Sequence, residues 1–171
     1  MERALFIPSA HNPWYGHPFR ARYQETDRMG VVFHGNYVTW FEVGRTEWIR
    51  ALGISYKQLE EQGLLLPVVD LHVRYHHPAR YDDEVIVYTR LTRLTPIRMT
   101  FQSVVVGVPE EAEEQPCKVE WVNEPKGEWL VEGETTLAWV GADWRPKRFD
   151  REHPEIWDLL KQVSSNEESK K

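Results

Sequence analysis

Between Val68 and Gly141 the chain reads as a succession of strands with no helix among them. The runs VVDLHVRYHH (68–77), DEVIVYTRLTRL (83–94), RMTFQSVVVG (98–107) and EWLVEGETTLAWVG (128–141) are rich in β-branched and aromatic residues. Such residues suit a pleated, half-buried surface. The breaks at 78–83 and 95–97 are too short for the helix that a parallel crossover needs, so neighbouring runs are expected to pair antiparallel. This argues against a doubly wound nucleotide fold. The sequence also holds no Gly-x-Gly-x-x-Gly or phosphate-loop motif.

One long helical pattern precedes the strands. In GNYVTWFEVGRTEWIRALG (35–53), Tyr37, Phe41, Gly44, Trp48 and Leu52 recur on a single face at the 3.6-residue period, and Gly53 is placed to end it. SYKQLEEQG (55–63) offers Ser55 as N-cap, Gln58 three residues on, and Gly63 as a stop. Upstream, FRARYQE (19–25) alternates as a short strand, and residues 1–16, with Pro8, Pro13 and Gly16, read as an arm. REHPEIWDLLKQV (151–163) carries Ile156, Leu159, Leu160 and Val163 on one helical face, and SSNEESKK reads as a frayed, disordered tail. The expectation is an α+β domain with one antiparallel sheet laid on one long helix.

The net charge of −6 is unevenly distributed. Nine acids and two lysines give segment 109–134 a charge of −7, which leaves the rest of the chain at +1. No basic stripe exists to neutralise a run of phosphates, so nucleic acid is not the expected partner. No apolar run reaches the length of a membrane span, and the sequence begins without a signal-peptide pattern. A single cysteine, Cys117, excludes an internal disulfide framework. A cytoplasmic location is the expectation.

The stretch TDRMGVVFHGNY (26–37) is the hardest to read as scaffold. It brackets a short apolar run with a carboxylate, Asp27, and an imidazole, His34. The plain reading is a loop in which Asp27 makes an Asx-turn and His34 lies near a helix start. The sharper reading is a catalytic pair. A carboxylate can act as general base or as nucleophile, and the first N–H groups of the helix near Gly35 lack intrahelical partners. Other candidates are weaker. Glu42 and Arg45, at i and i+3, suit a structural ion pair. His72, His76 and His77 do not make a metal site, since 77 points away from 72 and 76 in a strand and no further ligand lies near.

The sequence YQETDRMGVVFHGNYVTWFEVGRTEWIR resembles the signature of the hotdog-fold acyl-CoA thioesterases, in the hydroxybenzoyl-CoA thioesterase and YbgC-like branch. Tyr23, Asp27, Gly30, Val32, His34, Asn36, Tyr37, Glu42 and Arg45 meet that pattern. HVRYHHPARYDDEVIVYTRL and EGETTLAWVGADWRPKR resemble the family's paired strands and last strand. The resemblance covers residues 17–150, with an acidic insertion at 109–127, and leaves the arm at 1–16 and the helix and tail at 151–171. It implies a hotdog fold, with the sheet wrapped around the helix. It also implies hydrolysis of an acyl-CoA to a carboxylic acid and coenzyme A, with no metal or redox cofactor. Asp27 and His34 would be catalytic, with Tyr23, Gly35, Asn36, Tyr37 and Arg98 binding substrate. A homodimer or homotetramer with the site at the subunit interface is implied as well. Two alternatives stand beside it: a hotdog hydratase or dehydratase, whose histidine-centred signature is absent, and a non-catalytic acyl-CoA-binding protein. Aromatic, short-chain and long-chain acyl groups fit the pattern alike.

Overall fold

The computed structural model describes residue 8, residues 12–109 and residues 118–164. Six strands form one antiparallel sheet: β1 (Trp14–Arg20), β3 (Val68–Tyr75), β4 (Glu84–Thr95), β5 (Arg98–Gly107), β6 (Glu120–Val122) and β7 (Glu128–Ala138), in the order β3-β7-β5-β4-β1-β6. Two-residue strands β2 (Leu64–Leu65) and β8 (Val140–Gly141) pair at one end. The long helix α1 (Asn36–Ala51) lies against β1, β4 and β5 and buries Tyr37, Trp40, Phe41, Gly44, Trp48 and Ile49. This is the hotdog arrangement that the resemblance implied.

The expected strand runs and helix emerge with small changes at their ends. Gly53 (φ +86°) ends α1, and Gly63 (φ +81°) ends α2 (Tyr56–Glu61), whose Ser55 hydroxyl accepts the Gln58 N–H at 3.3 Å. The first strand is the main difference. It spans 14–20 rather than 19–25, so residues assigned to the arm start it. The turn-like Gly16 and Pro18 conceal it in the sequence. Gly16 is needed because a Cβ there would lie 2.7 Å from the Tyr88 ring. Beyond it, Tyr23–Glu25 closes into a 3-10 turn. Within the acidic insertion, Glu120–Val122 pairs with β1 at the sheet edge. Residues 110–117, including Cys117, and the tail at 165–171 lie outside the described residues.

Position along α1 sorts the interior into two parts. Tyr37, Trp40 and Phe41 pack with Val85, Val87, Ala79 and Val131 at one end. Trp48, Ile49 and Leu52 pack with Leu91, Leu94, Met99 and Trp139 at the other. The C-terminal helices α3 (Phe149–Glu152) and α4 (Pro154–Val163) close this second part, contributing Phe149, Leu159, Leu160 and Val163. At one edge of the sheet, β3 is paired on one side alone. Val68 and Val69 are each 49% exposed, and Leu71 and Tyr75 are exposed too.

Candidate active site

The loop between β1 and α1 is a small hairpin. Thr26 bridges Val32, the Asp27 N–H donates to the Val31 carbonyl at 2.9 Å, and the Phe33 N–H donates to the Glu25 carbonyl at 2.9 Å. Gly30, at φ +74°, turns its tip, a conformation that side chains other than glycine's resist. Asp27 is half-buried beside that tip. Its Oδ1 accepts the Met29 N–H at 2.8 Å, so the Asx-turn of the plain reading is made. Among the described residues Oδ2 has no hydrogen-bond partner, and one carboxylate oxygen is left for chemistry.

His34 lies past the base of the hairpin, exposed. Its ring sits 4.2 Å from that of Phe33 and 6.3 Å from that of Tyr75. The Tyr75 hydroxyl, on the edge strand, donates to the His34 carbonyl at 3.0 Å. Gly35 is the N-cap of α1 and brings no side-chain cap. A Cβ there would meet the Phe33 ring at 2.9 Å, so glycine keeps this approach open. The Asn36 N–H bonds to the Phe33 carbonyl and the Val38 N–H to the Gly35 carbonyl. Among the described residues the Gly35 and Tyr37 N–H groups meet no acceptor. They are uncommitted donors at the positive end of a sixteen-residue helix.

The remaining candidate residues divide. Tyr23 is 77% exposed and meets Tyr81 edge to face at 5.7 Å, so it is free to touch a ligand. Asn36 and Tyr37 are committed inward: Asn36 Nδ2 donates to the Glu25 carbonyl at 2.7 Å, and the buried Tyr37 hydroxyl accepts the Ala79 N–H at 2.8 Å. Both hold the site together. Arg98 lies elsewhere. It pairs with Thr95 at the β4–β5 turn, beside the Trp48–Leu94–Met99 part of the core, at the opposite end of the sheet from the Asp27 hairpin. One chain does not bring Arg98 and Asp27 together.

Three further results bear on the rival readings. Among the described residues Glu42 and Arg45 form no ion pair within 4 Å. Glu42 is exposed, whereas burial lowers the pKa of the Arg45 guanidinium and Glu42 works to raise it. His76 and His77 face Glu132 and Glu128 at 3.1 and 3.6 Å. No group of three metal-ligating side chains forms among the described residues, and no described helix is long and apolar enough to cross a membrane.

Sequence reasoning missed Glu25 and Tyr75. Glu25 is 5% exposed. Its sequence neighbourhood looks like a solvated Arg/Gln/Glu stretch, and only the spacing of Arg22 to Glu25 hinted at a local pair. Tyr75 reads as one more strand aromatic, because its role depends on a partner 41 residues away.

Residues 29–108 match the family model of the thioesterase superfamily. The putative acyl-CoA thioesterase YneP of Bacillus subtilis is 48% identical over 68 residues, which are 40% of this chain and 49% of that protein. The acyl-CoA thioester hydrolase YbgC of Escherichia coli is 34% identical over 90 residues, 53% of this chain and 67% of that protein. The matched stretches span 49% and 56% of the lengths of the first two curated relatives. A crystal structure of a DHNA-CoA thioesterase from Staphylococcus aureus superposes with a TM-score of 0.75 at 34% identity, covering 87% of this chain and 90% of that one.

Proposed function

The chain belongs to the thioesterase superfamily, and we propose that it hydrolyses an acyl-CoA thioester to the free carboxylic acid and coenzyme A. One observation carries this reading. Among the described residues, a hairpin bearing a carboxylate with one oxygen free of hydrogen bonds is tied to a helix N-terminus whose Gly35 and Tyr37 N–H groups meet no acceptor. Those are the two things thioester hydrolysis asks of a protein: a base or nucleophile, and donors for the oxygen that gains charge. The names carried by the relatives, acyl-CoA thioesterase and acyl-CoA thioester hydrolase, support the same reaction class.

In this reading the thioester carbonyl oxygen points at the start of α1. Asp27 takes a proton from water as the water adds to the carbonyl, or attacks the carbonyl itself to give a mixed anhydride that water then opens. The tetrahedral adduct collapses by breaking the carbon–sulfur bond, and the departing thiolate of coenzyme A takes up a proton, for which His34 is the proposed donor. Heavy-oxygen water tests the direct route, because label enters Asp27 in a single turnover only where a mixed anhydride forms and water opens it at the Asp27 carbon. No metal or redox group is required by either route.

A second copy of the chain is part of the proposal. An eight-residue edge strand with unpaired backbone groups and exposed Val68, Val69 and Leu71 invites another strand. Tyr75 links that strand to the His34 carbonyl, so whatever covers β3 also borders the site. Coenzyme A contacts from Arg98 would then come from a different copy than the one supplying Asp27. Thiol release measured over acyl-CoAs of differing chain length, with light scattering on the same samples, tests the whole reading. Absence of turnover on aromatic, short and long acyl groups in an assembled protein would leave a binding protein in its place.

A further inference from the structure

Glu25 is a carboxylate withdrawn from water, and such a group is costly unless it is hydrogen-bonded. Here Oε2 accepts the Arg22 backbone N–H at 2.7 Å, while Oε1 accepts from the Arg22 guanidinium at 2.9 Å and from the Trp40 indole N–H at 3.0 Å. Its main chain is equally occupied, with the carbonyl receiving the Phe33 N–H at 2.9 Å and Asn36 Nδ2 at 2.7 Å. These bonds join three pieces that the chain could otherwise hold at many angles: the start of the 3-10 turn that follows β1, the returning arm of the Asp27 hairpin, and the first turns of α1.

We propose that Glu25 is the positioning residue of the site, fixing the Asp27 hairpin against the N-terminus of α1 so that the carboxylate and the free N–H groups face one carbonyl. The inference rests on the roles proposed for Asp27 and for that helix end. Packing alone does not call for a carboxylate here, because the Trp40 ring already lies between Phe19 and Tyr37, at 5.0 and 4.8 Å. An apolar side chain could fill such a volume, often with no loss of stability. What the carboxylate adds is direction, since each accepted N–H fixes an angle as well as a distance. Burial pushes the Glu25 carboxyl up, but Arg22 and the Trp40 N–H together hold it below the usual carboxylate value, which keeps it an ionised acceptor at neutral pH.

Glu25→Gln tests the proposal, because it preserves shape and one acceptor oxygen while turning an NH₂ group toward the Arg22 donors. Turnover should fall between about ten- and a hundredfold, the scale of a misplacement near an ångström, with KM within about twofold. Amide exchange should speed up over 26–35 and stay unchanged over 41–51. Combined with Asp27→Asn, the variant should cost no further turnover, as expected of a residue that acts through another. Arg22→Ala, at a guanidinium 63% exposed, should give a smaller loss in the same direction, and it serves if Glu25→Gln fails to fold. Wild-type turnover in folded Glu25→Gln or Arg22→Ala protein overturns the proposal, as do losses that multiply with Asp27→Asn. Should Asp27→Asn itself turn over normally, the catalytic reading of Asp27 is lost. Glu25 then keeps its role only if its own variant still loses turnover with loosening confined to 26–35.

Discussion

The two ends of α1 are built differently. At the C-terminal end the core is closed: Trp48, Leu52, Leu91, Met99, Leu137, Trp139 and Phe149 are at most 1% exposed, and α4 packs against it. At the N-terminal end the polar groups are tied by side-chain-to-backbone bonds, aromatic rings stand at the surface, helix N–H groups are uncommitted, and the adjoining strand edge is bare. The core of the first end is finished within one chain. The second is held rigid yet left incomplete, which is what a binding site at an interface requires. Substitutions in the closed core should therefore change stability and spare turnover, while those at the open end should act chiefly on turnover.

The largest effect is expected at the closed end. Phe149 is fully buried and stacks on Trp139 at 3.8 Å with rings 4° from parallel. Phe149→Ala should cost about 3–5 kcal/mol in urea unfolding. Turnover per folded molecule should stay at the wild-type level. If it falls in proportion to a lost active-site group instead, the two ends are coupled and the contrast fails.

Asp27→Asn is next and has the opposite signature. It keeps the Asx-turn acceptor and removes the charge, so the melting temperature should hardly move. Turnover should drop about a hundredfold or more, the scale of losing a positioned base. His34→Ala should cost less than Asp27→Asn, because the imidazole is exposed and its carbonyl, not its ring, is held by Tyr75. Near-normal turnover in folded Asp27→Asn would reduce Asp27 to a turn residue and move attention to Glu42.

The contrast also explains what could be read from the sequence. Strand runs and the buried face of α1 are written as local periods, so Tyr37, Phe41, Gly44, Trp48 and Leu52 were legible as one face. β1 was displaced by five residues at its start because its pairing with β4 overrides the turn signals of Gly16 and Pro18. The site was half legible. Asp27, Gly35 and His34 stand out by their pattern, but beyond the local Arg22 pair Glu25 acts through Phe33, Asn36 and Trp40, and Tyr75 through a partner 41 residues away, which no local period encodes. Arg98 was grouped with the site by family pattern. The strand register then places it at the far end of its own chain.

Glu25 gives a smaller effect that separates fastening from packing by its pH dependence. Its folded-state pKa lies below the ordinary value of 4.5. The stabilisation it gives is therefore complete above that value and is lost as pH falls below it, through the folded-state pKa. The stability gap between wild type and Glu25→Gln should be widest at neutral pH and should narrow progressively below pH 4.5. A gap that stays constant into acid would show that the carboxylate's charge plays no part in holding the hairpin.

Arg98 should show the smallest effect and bears most directly on which copy completes the site. The guanidinium is exposed at the closed end and suits a phosphate, so Arg98→Ala should raise KM by about threefold and leave kcat unchanged, the pattern of lost uniform binding. An unchanged KM would remove Arg98 from the site altogether. If KM does rise, mixing decides whose site it serves. Pairing Asp27→Asn chains with Arg98→Ala chains leaves one working carboxylate per mixed dimer, on the chain that lacks Arg98. Should Arg98 act across the interface, that carboxylate works beside an intact arginine from its neighbour, and a population with wild-type KM appears on mixing. Should Arg98 act within its own chain, every active site keeps the raised KM. The strand register, which sets Arg98 and Asp27 at opposite ends of one sheet, favours the first outcome.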